Sequence, residues 1–387
     1  MLRSTRSFTR MGVMVVVLLF FAIGVASAVS PDEMSITTKS DEARKLFLKG
    51  RDLAERFHLD DARQILNEAI VKDPHFALAH LFLYYNSSSA MEAEQHLAEA
   101  AKSANSVSEA ERLVIEAEQA FNKDNPVSGI AHLEKLVAML PKDKRAQWTL
   151  GIHYGLREHN EKAVAQFQKV IALDKDFAPV YNSLGYTYVS LNDFEKAEEA
   201  FQNYVRLQPD EANPHDSLAD LYTKMGKHEQ AIEHYQQALK INPKFSWSQR
   251  KIGTNLVFLA QYEDGRTALR KAMAIESLPA ERLRDMSLIV GSYLYEGKPA
   301  DALAESEKIA EMAAKENLPE WIASCHLQEC EIYRELNELE KAQASLEACR
   351  GVAEHSGLPD VAKTSIAQEI LFQEGVLAVK RMDYQVA

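Results

Sequence analysis

Apolar and small residues return along the chain at a fixed step of 34. Leu150, Leu184, Leu218 and Ile252 keep this step, and so do the residues that follow them, Gly151, Gly185, Ala219 and Gly253. Tyr154, Tyr188, Tyr222 and Leu256 hold a third position. Ala163, Ala197, Ala231 and Gly265 hold a fourth, and Phe167, Phe201, Tyr235 and Leu269 a fifth. Within a unit the first and third positions stand four apart, on one face of a helix. The small residues let two helix backbones come close, and the aromatic of the second helix fills the space between units. Pro209 and Pro243 close two of the units, because proline cannot continue a helix. The pattern predicts two antiparallel helices per unit. One such pair cannot bury its apolar face alone, so the units must stack.

The stretch YNSLGYTYVSLNDFEKAEEAFQNYVRLQP at 181–209 carries a large residue, Leu-Gly, an aromatic, a small residue, an aromatic and a proline at fixed offsets. In this it resembles the tetratricopeptide repeat (TPR) family, and the same positions recur in register over four units. The resemblance implies an all-α fold, a right-handed α-solenoid of stacked helix-turn-helix repeats. The register extends outward more weakly. Ala117 and Gly129 fit a unit ending at Pro141, and Gly50, Ala62, Leu66 and Pro74 fit a first unit at 43–76. The unit at 77–109 is degenerate, with Tyr84 at the glycine position and a polar turn at 87–90. Ala302, after the turn Glu296-Gly297-Lys298, and Ala342 mark later units that look longer than 34 residues. The organisation expected is a signal peptide at 1–28, a polar linker at 29–42, regular units at 43–279, and longer TPR-like units with a C-terminal capping helix at 280–387. Gly375 and Ala387 fall at the two small positions of a last part-unit, so 360–387 is expected either to cap the array as a lone helix or to leave a face for a partner.

The N-terminus breaks the pattern. Arg3, Arg6 and Arg10 precede an uncharged apolar run from Met11 to Val25, and Ala26-Ser27-Ala28 follows it. This is the layout of a secretory signal cleaved after Ala28. The alternative is a retained anchor, since the 18 residues from Met11 to Ala28 reach the short edge of the roughly 17–25 that span a bilayer. The first reading places the protein in the periplasm or outside the cell. The second makes it a membrane-tethered envelope assembly factor. Charge narrows the partner. The chain carries −13 formally, and without residues 1–28 it has 41 basic and 57 acidic residues, a net of −16. So acidic a body repels phosphate backbones, which disfavours nucleic acid.

In TPR proteins the first helices of successive units line a concave groove that holds a peptide or protein segment. The matching positions here are Trp148, Ile152, Asn182, Tyr186, Asp216, Asp220, Arg250 and Thr254, with Trp247 beside Arg250. They are mixed in character, which suits a ligand held by a few anchors. They lack the basic set that would clamp a terminal carboxylate. Cys330 and Cys349 occupy small positions of one helix pair and are expected either to form a disulfide or to serve as reduced core residues. Cys325, five residues from Cys330, points elsewhere around the helix. No zinc spacing, His-Glu-x-x-His, Gly-x-Ser-x-Gly, phosphate loop or dinucleotide fingerprint is present. The reading is therefore a non-catalytic scaffold for a protein or peptide, with no metal and no cofactor.

Overall fold

The computed structural model describes residues 32–386 except Ser88, Ser277 and Pro359. The segment read as an export signal, with Ala28, lies outside the described residues, as does Ala387. The described residues form nineteen α-helices and no strand. Eighteen make nine antiparallel pairs: α1 Asp41–Glu55 with α2 Leu59–Lys72, α3 Ala77–Tyr85 with α4 Ala90–Lys102, and α5 Glu109–Asn122 with α6 Pro126–Met139. Next come α7 Lys144–Gly155 with α8 Asn160–Leu173, α9 Ala178–Ser190 with α10 Phe194–Leu207, and α11 Ala212–Lys224 with α12 His228–Ile241. Then follow α13 Ser246–Phe258 with α14 Tyr262–Ile275, α15 Pro279–Tyr295 with α16 Pro299–Lys315, and α17 Pro319–Glu335 with α18 Leu339–His355. A single helix, α19 Asp360–Val386, completes the stack. The all-α solenoid expected from the 34-residue step is the observed architecture. Helices α15 to α18 have 17 residues each, against 12 to 14 in α5 to α14.

Each pair is set by a small residue facing a bulky one. A Cβ added at Gly185 would lie 2.5 Å from the Phe201 ring, and one at Gly151 2.5 Å from the Phe167 ring. At Gly50 and Gly253 the opposing groups are Leu66 and Leu269, each at 2.7 Å. The turns inside the pairs also repeat. Asp124, Glu158, Asn192, Gly226 and Ala260, again 34 apart, all have positive φ. The amide after each reaches back to the carbonyl five residues before it, as in Asp193 to Tyr188 at 2.9 Å and Gln261 to Leu256 at 2.9 Å. This closes the first helix of each pair and reverses the chain.

The degenerate second pair departs from this. Helix α3 has only nine residues, and Asn86 ends it without the left-handed turn. The first four pairs curl tightly, so that α1 comes back against α7. Arg145 at the start of α7 forks onto Glu55 at the end of α1, at 2.6 and 2.8 Å. His58 meets Glu211, just before α11, at 2.7 Å, and Arg56 approaches the same carboxylate at 3.7 Å.

At the other end, α19 docks on α17 and α18 through Ile370 and Leu377. The buried Gln373 accepts from Arg334 at 2.6 Å and donates to Glu331 at 3.0 Å. Leu371, Phe372, Val379 and Met382 face outward. All three cysteines are free, buried thiols. Cys330 and Cys349 share one core cluster, where the Cys349 thiol donates to the Ala323 carbonyl at 3.4 Å. Burial pushes the Cys349 thiol up to about 11.

The pair-setting contact is testable. Gly185→Ala forces the Phe201 ring to move and is expected to cost about 1–3 kcal/mol. Gly375→Ala, which meets nothing within 4 Å in mid-helix, is expected to stabilise by up to about 1 kcal/mol. Urea unfolding of the two variants reads both signs.

Candidate functional site

The tight N-terminal curl wraps around a half-open chamber of about 1020 Å³. Its walls come from α1, α3, α5 and α7, the first helices of the first four pairs. Phe47, Phe82, Tyr84, Tyr85, Phe121 and Trp148 bring six aromatic rings to a lining that also holds aliphatic and charged residues. The short α3 supplies half of these rings. At Tyr84 the regular units have the glycine that packs against the second helix, so this unit turns a bulky residue toward the channel instead.

A polar cluster sits at one end. Glu118 on α5 is only 2% exposed. It accepts from the Tyr85 hydroxyl at 2.8 Å and pairs with His153 Nε2 at 2.8 Å. The His153 ring stacks on Phe121 with centroids 4.1 Å apart, and the Arg157 guanidinium lies 3.9 Å from the centre of the same ring. Burial, and then the charge of Glu118, push the Tyr85 phenol well above its usual range, so it stays a hydrogen-bond donor. At the other end Arg51, Glu55 and Arg145 line the wall. Burial, and then the neighbouring Arg145, lower the Arg51 guanidinium's affinity for its proton.

The roof is the chain itself. Residues 34–38 of the stretch read as a polar linker form neither helix nor turn and lie across the curl, and residues 41–42 already belong to α1. The Met34 amide donates to Asp143 at 2.7 Å, and the Thr37 amide and hydroxyl donate to Glu111 at 2.8 and 2.5 Å. The Thr38 hydroxyl and Lys39 amide donate to Asp73 at 2.6 and 3.1 Å. Burial alone would raise the Asp73 carboxyl. These hydrogen bonds and one from the His75 amide outweigh it, and the carboxyl is held below its usual range. Met34 and Ile36 pack against the core and line the chamber.

The nine groove positions read from the sequence divide into three sets. Trp148 and Ile152 line the chamber, with Trp148 Nε1 donating to Ser183 at 2.8 Å. Asn182, Tyr186, Asp216 and Asp220 lie at the next units and face each other across helices. Tyr186 donates to Asp220 at 2.8 Å, as does Tyr235 at 2.6 Å, and Lys251 bridges Asp216 and Asp220 at 2.8 and 2.7 Å. The buried Asn182 carboxamide oxygen has no hydrogen-bond partner. Arg250 is not a free groove cation. It is held by Glu276 and Glu281, both at 2.9 Å, and by the fully buried Asp285. Thr254 donates to the Lys251 carbonyl at 3.0 Å, and Trp247 remains 54% exposed. Sequence reasoning missed Lys251, the Tyr85–Glu118–His153 cluster and the roof. The degeneracy of 77–109 was the one available signal for the chamber. Among the described residues no group of His, Cys, Asp and Glu is arranged to hold a metal.

Stacked helix pairs around an inner channel define an α-solenoid of the helical-repeat class. Residues 178–211, which take in α9 and α10, and 217–245, which take in most of α11 and all of α12, match the family models of the tetratricopeptide repeat. A comparison with curated proteins gives no match. Among solved structures, a tetratricopeptide repeat protein from Parabacteroides merdae is similar at 14% identity. It covers 68% of this chain and 99% of its own, with a TM-score of 0.48. MamA is similar at 23% identity, covering 41% of this chain and 93% of its own, with a TM-score of 0.36. YrrB, described as a TPR protein with an unusual peptide-binding site, is similar at 16%, covering 46% and 91%, with a TM-score of 0.35.

The polar end of the chamber yields a graded expectation. Tyr85→Phe removes one donor and leaves Glu118 paired with His153, costing about 0.5–1.5 kcal/mol. Glu118→Ala strands both donors and is expected to cost more, about 2–3 kcal/mol, in denaturant unfolding.

Proposed function

We propose that this protein is an exported, non-catalytic scaffold that holds an extended peptide segment of a partner protein in the channel of its first four helix pairs. The observation that carries this reading is residues 32–40, an extended chain already seated there. Its main-chain donors meet Asp143 and Glu111, and its alternate apolar side chains turn inward. The geometry is that of peptide recognition: main-chain hydrogen bonds hold the backbone, and pockets take side chains. An aromatic chamber with a few convergent polar groups is a surface on which a small number of anchors carry most of the affinity.

Export rests on the arginines, apolar run and Ala26-Ser27-Ala28 of the N-terminal segment. Among the described residues no helix is long and apolar enough to cross a membrane. The second reading, a membrane-tethered assembly factor, differs only in whether that segment is retained. A native N-terminus at Val29 supports the exported form, and one within residues 1–10 supports the tethered form.

The channel is tested by cross-linked affinity capture in the native compartment. Parent chain is compared with a chain carrying Trp148→Ala and Tyr85→Ala. Arg250 is left unchanged, because it is bound into the fold. A partner captured by the parent and lost by the variant, with helical content intact, is the expected result. Equal capture by both chains would move the working surface elsewhere.

A further inference from the structure

The segment 33–39 is read by the array at successive inter-unit positions. Asp143 lies at the start of the fourth pair, Glu111 at the start of the third, and Asp73 between the first and second. Each accepts a main-chain amide, from Met34, Thr37 and Lys39 respectively. Amide donors belong to any extended chain, so this ladder selects a conformation. Side-chain selection is added in two ways. Glu111 and Asp73 also take the hydroxyls of Thr37 and Thr38. Met34 and Ile36, two apart on an extended chain, both turn inward, while Glu33, Ser35 and Lys39 stay exposed.

A second observation concerns fit. The chamber of about 1020 Å³ lies open beneath Met34 and Ile36, which line it together with the aromatic wall. Protein cores close-pack, with few voids larger than a water molecule. This segment roofs an apolar space without filling it, and both of its apolar side chains remain half-buried.

We propose that Asp73, Glu111 and Asp143 form a track for an extended partner segment that is apolar at two positions one residue apart and then carries two Ser or Thr residues. Residues 34–38 (Met-Ser-Ile-Thr-Thr) are the chain's own competitor for it. The proposal rests on the channel reading above and adds the register and the chemistry of the occupant. A partner with larger apolar groups at the Met34 and Ile36 positions fills the chamber and displaces the internal segment. Glu111 stays a hydrogen-bond acceptor at the centre of the track, fixed by the Ser108 amide at 3.0 Å and the Ser108 hydroxyl at 2.7 Å.

The probe is a fluorescein-labelled peptide of residues 32–40, titrated by fluorescence anisotropy against full chains. The parent chain, its track occupied, is expected to bind weakly. M34D/I36D and T37V/T38V each loosen the internal segment and are expected to bind the peptide about tenfold more tightly than the parent. Adding E111Q to either variant is expected to remove that gain. Circular dichroism should stay unchanged, because glutamine serves in the same helix cap. T37V/T38V keeps the apolar pair, so the test survives if M34D/I36D does not fold. Binding that is equal in the parent and the folded variants overturns the proposal, and so does a gain that E111Q leaves intact. Capture of a partner that still depends on Trp148 and Tyr85, without any gain in peptide binding, sinks the track and leaves the channel reading standing.

Discussion

Every helix pair in the regular part of this array depends on one contact, a small residue on the first helix against a bulky side chain on the second. Gly151 against Phe167 and Gly185 against Phe201 leave no room for a Cβ. That contact sets how close the two helices come and how far each pair is rotated from the last. Curvature accumulates from these small rotations, and a concave surface follows from stacking alone. Where the contact is altered, the surface changes. In the second pair Tyr84 stands at the glycine position, α3 is cut to nine residues, and its aromatic residues line an open chamber.

The chamber is then closed by polar contacts that the repeat pattern does not require. Arg145 on Glu55, and Glu211 with His58 and Arg56, tie the first pair to the fourth and to the start of the sixth. Isolated surface ion pairs contribute little, roughly 0–1 kcal/mol. The Arg145–Glu55 fork is bidentate and partly buried, which makes it stronger and fixes its geometry. Further along, Lys251 pairs with both Asp216 and Asp220, and Arg250 with three carboxylates. The fifth to eighth pairs therefore carry their groove charges in ion pairs of their own. The first four carry an unfilled aromatic space.

The fold was legible because helix packing repeats in sequence. Leu184, Gly185, Tyr188, Ala197 and Phe201 each mark a contact with a fixed partner, and the same offsets predicted the pairs on either side. The groove positions were legible only as places on a helix. Whether Arg250 is a ligand contact or a core ion depends on Glu276, Glu281 and Asp285, which lie 26 to 35 residues away and outside the repeat register. The roof was illegible for the same reason. Residues 32–40 have no helical pattern, and their partners Asp73, Glu111 and Asp143 read in sequence as ordinary loop and cap residues. Glu111 does serve as a cap residue, in a capping box with Ser108, and it holds Thr37 as well.

The channel of the first four pairs holds residues 34–39 by the main-chain amides of Met34, Thr37 and Lys39. Hydrogen–deuterium exchange on the native chain measures this directly at Met34, Thr37 and Lys39. These three amides are expected to exchange far more slowly than the same residues in a free peptide of residues 32–40. Exchange at the free-peptide rate, with the helices around them protected, would contradict it.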